Sequence, residues 1–66
     1  MKIMVNGEEH SIHDERTVAD LVETLGFSEK PCAIERNRTV VPRADHARTE
    51  LVDGDQIEIV TLVGGG

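Results

Sequence analysis

Apolar and polar positions alternate near both ends of this chain, and helical spacing appears once between them. Lys2-Ile3-Met4-Val5 reads as a β-strand that stops at Asn6-Gly7. Asn-Gly is a strong signal for a two-residue hairpin, because both residues tolerate the positive φ of a type I′ turn. The returning strand spans residues 9–13 and has Ile12 as its one clear core candidate. Thr17-Val18-Ala19-Asp20 then has the form of a capping box, with the Thr17 hydroxyl placed to accept from the backbone N–H of Asp20. Val18, Leu21, Val22 and Leu25 follow at i, i+3, i+4 and i+7, one face of a helix. Gly26 suits the left-handed position that ends it, and Phe27 can fold back on Val22.

The second half is expected to be mostly strand. Pro31 biases its predecessor away from helix, and residues 32–37 read as a third strand. Its buried face is left open, because Glu35 and Arg36 are charged neighbours. Asn37-Arg38 reads as a turn, Thr39-Val40-Val41 as a short strand closed by Pro42, and the polar residues 44–50 as room for a helical turn. Leu51 and Val52 are expected to pack inwards, Asp53-Gly54-Asp55 to turn, and residues 56–62 to form the last strand. In that strand Ile57, Ile59 and Thr61 share one side, while Glu58, Val60 and Leu62 share the other. If the isoleucines face the helix, Val60 and Leu62 face water or a partner. The expected fold is therefore α+β: one domain with a mixed sheet of four to five strands, order β-β-α-β-β, its first and last strands paired centrally and one main helix on one face.

Size and charge narrow the function. Sixty-six residues leave little room for a substrate pocket ringed by catalytic groups, so a carrier or binding module is favoured over an enzyme. Thirteen acidic against seven basic residues give a net charge of −6, and Phe27 is the one aromatic residue. Nucleic acid is then an unsuitable partner, since it demands Lys and Arg for phosphates and aromatic platforms for single strands. Basic protein surfaces suit the chain better. One cysteine excludes an internal disulfide framework. No apolar run reaches the ~20 residues of a membrane span, and no signal peptide is evident at the start. A cytoplasmic protein, monomeric by itself, is the expectation.

Other candidate chemistry is thin. His10 and His13 form an H-x-x-H, but in a strand i and i+3 point to opposite faces and His46 is remote, so no metal site is expected. Asp53-Gly54-Asp55 falls far short of a calcium loop. Cys32 reads as a small hydrophobe rather than a nucleophile, and no carboxylate dyad is evident. Arg43 could pair with a partner's acid or cap the turn after Pro42.

The remaining signal is the end of the chain, Thr61-Leu62-Val63-Gly64-Gly65-Gly66. By itself Gly-Gly-Gly reads as a disordered tail. Yet the whole chain resembles the ThiS family, the sulfur carriers of thiamine biosynthesis with the ubiquitin-like β-grasp fold. The likeness rests on Thr17-Val18-Ala19-Asp20-Leu21, Asn37 followed by Val40-Val41-Pro42-Arg43, the run from Asp53 through Gly54-Asp55-Gln56-Ile57-Glu58-Ile59 to Val60, and the terminal Gly65-Gly66. Gly64 extends the usual glycine pair to three, and Cys32 and Glu35-Arg36 are not family signatures.

That resemblance implies a β-grasp domain over residues 1–62 and a tail over residues 63–66. It implies that Gly66 carries the chemistry: its carboxylate is adenylated and becomes a thiocarboxylate. Gly64 and Gly65 would give access, while Val60, Leu62 and Val63 would serve docking and the tail's exit. The implied partners are a ubiquitin-activating-type adenylating enzyme, a cysteine desulfurase or persulfide relay, and thiazole synthase. The carrier would bind no cofactor; ATP and magnesium would belong to the activating enzyme. The small subunit of molybdopterin synthase and the sulfur carriers of cysteine synthesis share this chemistry, with the surroundings of Val41-Pro42-Arg43 favouring thiamine. From another class, a non-covalent protein-interaction domain would use the sheet face of Val60 and Leu62 and leave the tail idle.

Overall fold

A buried carboxylate at Asp55 and two asparagine side chains tie the strands of this domain together. The computed structural model describes residues 1–28 and 30–61. Five strands form one mixed sheet: β1 (Lys2–Val5), β2 (Glu8–Ser11), β3 (Cys32–Arg36), β4 (Thr39–Val40) and β5 (Gln56–Thr61). Their spatial order is β2-β1-β5-β3-β4. The long strand β5 runs parallel to β1 and antiparallel to β3, so the two ends of the sequence meet in the middle of the sheet. Helix α1 (Val18–Thr24) packs on one face, and a 3₁₀ helix (Arg43–Arg48) lies between β4 and β5 in sequence. The expected α+β architecture is the observed one.

The hairpin forms as the sequence predicts. Val5 pairs with Glu8, so Asn6 and Gly7 are its two loop residues, at φ 50° and 83°. Asn6 then does more than turn. Its side-chain Nδ2 donates to the Ile59 carbonyl at 3.1 Å and its Oδ1 accepts from the Ile59 N–H at 2.9 Å. The amide thus continues the β1 ladder along β5 after the main chain has turned away. Asn37 acts alike on the other flank. It sits with Arg38 in the loop between β3 and β4, both at positive φ, and its Oδ1 accepts from Gln56 N–H at 2.9 Å.

Helix α1 starts at the predicted capping box. Thr17 Oγ1 accepts from Asp20 N–H at 3.2 Å, and Asp20 Oδ2 accepts from the N–H groups of Thr17 and Arg16 at 3.1 and 2.9 Å. These backbone donors, Arg16 first, lower the Asp20 pKa. At the far end Leu25 is the last residue in helical conformation and Gly26 follows at φ 84°, where any side chain would be strained. Phe27 N–H bonds the Val22 carbonyl and Gly26 N–H that of Glu23, a Schellman closure that sets Phe27 against the core.

Ile3, Val5, Ile12, Val18, Leu21, Val22, Ile34, Leu51, Ile57 and Ile59 make one cluster between helix and sheet, with Leu25, Phe27 and Cys32 packed at its margin. Two expectations change. Val52 does not pack inwards: it is 53% exposed while Leu51 is buried. Val52 N–H and C=O are taken up by the turn ahead, bonding the Asp55 carboxylate and N–H, and this points its side chain out. The second difference is that Val41 is buried but lies beyond β4, which ends at Val40; its N–H still reaches the Ile34 carbonyl.

The open question of the Glu35-Arg36 pair is resolved by Asp55. Arg36 turns to the helix-side parity of Ile34, and its Nε donates to Asp55 Oδ2 at 2.8 Å. Asp55 is 4% exposed and also accepts from Asn37 Nδ2 at 3.0 Å and Val52 N–H at 2.7 Å. Burial by itself would raise the Asp55 pKa; the donors from Arg36, Val52 and Asn37 outweigh it and hold the carboxyl below 3.8. Asp55→Ala should cost about 2–4 kcal/mol by orphaning Arg36 and Asn37, most of the ~3–5 kcal/mol that a core of this size supplies. A depressed folded pKa places the stabilisation above pH 3.8 and removes it as pH falls through the folded value. Urea titrations across that window should give a steeper acid loss for the parent than for Asp55→Asn.

Candidate functional site

Among the described residues, none forms a layer on the face of the sheet away from α1. Strand alternation sends Ile57 and Ile59 into the core and leaves Gln56, Glu58 and Val60 outward. On β3 the buried Ile34 fixes the opposite parity for Ala33 and Glu35, which look outward as well. The register of β3 with β5 is continuous from Cys32↔Thr61 to Arg36↔Ile57, so Ala33 lies opposite Val60 and Glu35 opposite Glu58. On the far side of β3, Val40 of β4 pairs with Glu35. The result is an open surface with Val40 and Val60 exposed by 64% and 58%, Ala33 between strands, and two carboxylates among them.

The sequence-predicted docking residue Val60 is therefore on the outer face and solvent-exposed, as parity required. Leu62, Val63, Gly64, Gly65 and Gly66 lie outside the described residues. The last described residue, Thr61, stands at the end of β5 against Cys32. β3 accompanies β5 as far as Thr61, whereas β1 pairs with it at Gln56 and Ile57 and the Asn6 side chain reaches Ile59.

The weaker candidates fall on other parts of the fold. Cys32 is a free, half-buried thiol packed on the core margin. Arg43 begins the 3₁₀ helix and lines a shallow cleft with Lys30 and His46 against α1. His46 Nε2 sits 3.1 Å from the Val41 carbonyl, an interaction that holds the 3₁₀ helix to the end of β4. His10 faces the helix side of β2, opposite Ile3, and His13 lies beyond the strand. Among the described residues no three His, Cys, Asp or Glu side chains are grouped to hold a metal ion, and no helix is long and apolar enough to cross a membrane. The paired outward placement of Glu35 and Glu58 was not foreseen; only the register between two distant strands reveals it.

The ThiS family model matches residues 3–66. The chain belongs to the ThiS family. It is 41% identical over 66 residues to a thiazole synthase of Paramagnetospirillum magneticum (strain ATCC 700264 / AMB-1), covering all of this chain and 20% of that protein. This ThiS-family chain thus spans about a fifth of that relative's length. It is 32% identical over 66 residues to the sulfur carrier protein ThiS of Escherichia coli (strain K12), covering both chains in full. Among solved structures, the crystal structure of the thiamine biosynthesis protein (ThiS) from Geobacter metallireducens superposes with a TM-score of 0.80 at 28% identity over 100% of each chain. The fold is thereby the β-grasp expected from the family resemblance.

The contrast between the two sheet faces gives a direct check. Val60→Asp should change stability by about 1 kcal/mol or less, because its side chain already meets water. Ile59→Asp, one residue earlier and 6% exposed, should unfold the domain by burying an unpaired charge. Urea denaturation of the two variants distinguishes the faces.

Proposed function

We propose that this chain is a sulfur carrier of thiamine biosynthesis, a substrate of enzymes rather than an enzyme. The observation that carries the reading is the family match itself, which runs to Gly66. The names of relatives support the pathway: one is called a sulfur carrier protein, another a thiazole synthase. That a thiazole synthase contains a segment alike to this whole chain also supports thiazole synthase as the acceptor of the sulfur.

The chemistry explains the glycines. A carboxylate is a poor electrophile, since its leaving group would be oxide. The Gly66 carboxylate attacks the α-phosphorus of ATP and expels pyrophosphate, giving an acyl-adenylate. A sulfur nucleophile at the oxidation level of sulfide then adds to the acyl carbon, and AMP departs with the bonding electron pair. The product is a thiocarboxylate whose sulfur attacks an electrophile in the acceptor enzyme. The terminus must enter narrow sites on several enzymes, and Gly64, Gly65 and Gly66 carry no Cβ to obstruct the approach. ATP and magnesium are held by the activating enzyme. Where the sulfur comes from a cysteine desulfurase or persulfide relay, the persulfide adds to the acyl carbon with loss of AMP, and a thiol then cleaves the resulting acyl disulfide, releasing the thiocarboxylate and itself ending in a disulfide.

Docking in this reading uses the open sheet face. Val60 gives apolar contact beside Thr61, and Leu62 and Val63 follow in sequence as further contacts. The outward residues are tied into strands whose other faces are buried, so the surface is rigid and needs no ordering when a partner arrives.

The test is intact mass after incubation with ATP, a sulfide source and the activating enzyme of the same organism. The expected outcome is the gain of one oxygen exchanged for one sulfur, mapped to Gly66 by fragmentation. Removing Gly65 and Gly66, or adding one residue after Gly66, should abolish it while leaving the urea midpoint unchanged. An unmodified parent, with an enzyme shown to be active on another carrier, would favour the non-covalent interaction domain.

A further inference from the structure

The last residues of β5 are held unequally on their two edges. β3 accompanies the strand from Ile57 to Thr61, whereas β1 pairs with it at Gln56 and Ile57 and then turns away at Asn6-Gly7. Past that point Asn6 alone, among the described residues, holds the β1 edge. Its N–H donates to the Ile57 carbonyl at 2.9 Å, its Oδ1 accepts from Ile59 N–H at 2.9 Å, and its Nδ2 donates to the Ile59 carbonyl at 3.1 Å. In a continuing parallel ladder, main-chain groups of β1 would meet Ile59. At φ 50° the chain has already turned, and the side-chain amide supplies both the acceptor and the donor in their place.

The residue type matters. Asparagine is one of the few non-glycine residues that enter the left-handed region, so it can occupy the turn and still present an amide. Aspartate would accept from Ile59 N–H but not donate to its carbonyl, and glycine would do neither. Strand alternation extends the argument along β5. The main-chain groups of Ile59 face the β1 side, so those of Val60 face its register partner on β3 and those of Thr61 face the β1 side again. Among the described residues no strand stands beside Thr61 on that side. Asn6 is therefore the last support on that edge before the chain passes Thr61. Without it, β3 and the end of β5 form a two-stranded ribbon, and such ribbons twist more than strands held on both edges.

We propose that Asn6 is a positioning residue of the carrier: its side-chain amide holds the end of β5 in line and so sets the direction in which the terminus is presented to the activating enzyme. The inference rests on the sulfur-carrier reading and adds a residue that acts through the backbone of Ile59, 53 positions away. An error in direction at Thr61 grows along the residues that follow it. Misplacing a reacting group by about 1 Å can cost ~100-fold in rate. Glycines at 64–66 can absorb part of such an error, at a cost in entropy, which makes the expected loss smaller.

The experiment uses the full chain, its Asn6→Gly variant, and Leu21→Val as a control for lost stability. Glycine keeps the positive φ of the turn and removes the amide. Amide hydrogen exchange is read first, without enzyme. The reference is the Met4 amide, which bonds the Asp55 carbonyl at the start of β5. In Asn6→Gly the Val60 amide should exchange about tenfold faster relative to Met4, and Leu21→Val should not raise that ratio. Adenylation is then followed with ATP and the activating enzyme of the same organism. Asn6→Gly should lower kcat about fivefold and leave KM within about twofold of the parent's. The carrier is the substrate, so an unfolded fraction raises the apparent KM and leaves kcat alone; Leu21→Val should accordingly keep the parental kcat. An unchanged Val60-to-Met4 ratio in Asn6→Gly would overturn the proposal, and so would a lowered kcat in Leu21→Val. A parent that is adenylated, with Asn6→Gly at the parental kcat, refutes the positioning role and leaves the carrier standing. A parent that is not adenylated, by an enzyme shown to be active on another carrier, refutes the carrier and the positioning role with it.

Discussion

The structure depends most on the carboxylate of Asp55. It is the buried polar side chain of the core region, and three parts of the chain converge on it: Arg36 at the end of β3, Asn37 in the following turn, and Val52 before β5. Its main chain takes part as well, since Met4 N–H donates to the Asp55 carbonyl at 2.9 Å. One residue therefore fixes the start of the central strand against both of its neighbours. A buried ion pair is not automatically stabilising, because desolvation opposes the Coulomb attraction. Here the carboxylate has three hydrogen-bond donors, and no buried side-chain nitrogen or oxygen among the described residues lacks a partner. The gain is registry as much as energy: β5 cannot slip along β3 without breaking the arginine, asparagine and backbone contacts together. Because Glu35, Ala33, Glu58 and Val60 inherit their positions from that register, the character of the outer face is set by a residue on the inner one.

The sequence disclosed the elements whose causes are local. The hairpin at Asn6-Gly7, the capping box at Thr17 and Asp20, and the closure at Gly26 and Phe27 each depend on residues within a few positions of one another, and each is in the structure. The parity of β5 could also be read, because Ile57 and Ile59 alternate with charged or smaller residues. Features that join distant segments were hidden. Asn6 looks like a turn residue, and nothing local indicates that its amide serves as an extra rung for Ile59. The orientation of Glu35 and Arg36 could not be decided, because two adjacent charges give no hydrophobic alternation; Asp55, nineteen positions from Arg36, decides it. Val52 misled for the reverse reason, since an apolar residue beside Leu51 suggests burial until its backbone is seen to be held by the turn.

The candidate site divides in the same manner. Val60 was legible as outward-facing from strand parity; the role given to Gly66 came from the family resemblance, and the comparisons show the family and not that role. The Glu35–Glu58 opposition required β3 and β5 to be aligned, which takes the whole sheet. A single sequence names the residues of a strand but not their neighbours across it.

This division bears on how so small a domain would serve as the carrier proposed above. The core, the helix and the Asp55 junction occupy one side of the sheet and account for its stability. Among the described residues the other side stays exposed at Val40 and Val60, so its side chains are available for contact. A carrier needs such separation, because each partner must hold the domain firmly and then release it. Electrostatic recognition suits that requirement: it accelerates encounter and discriminates among partners more than it deepens affinity. With −6 net charge on 66 residues, the chain is attracted at long range to any basic surface. Discrimination must then come from the short-range pattern. On the outer face that pattern includes the exposed Val40 and Val60, with Ala33 opposite Val60 across β3 and β5.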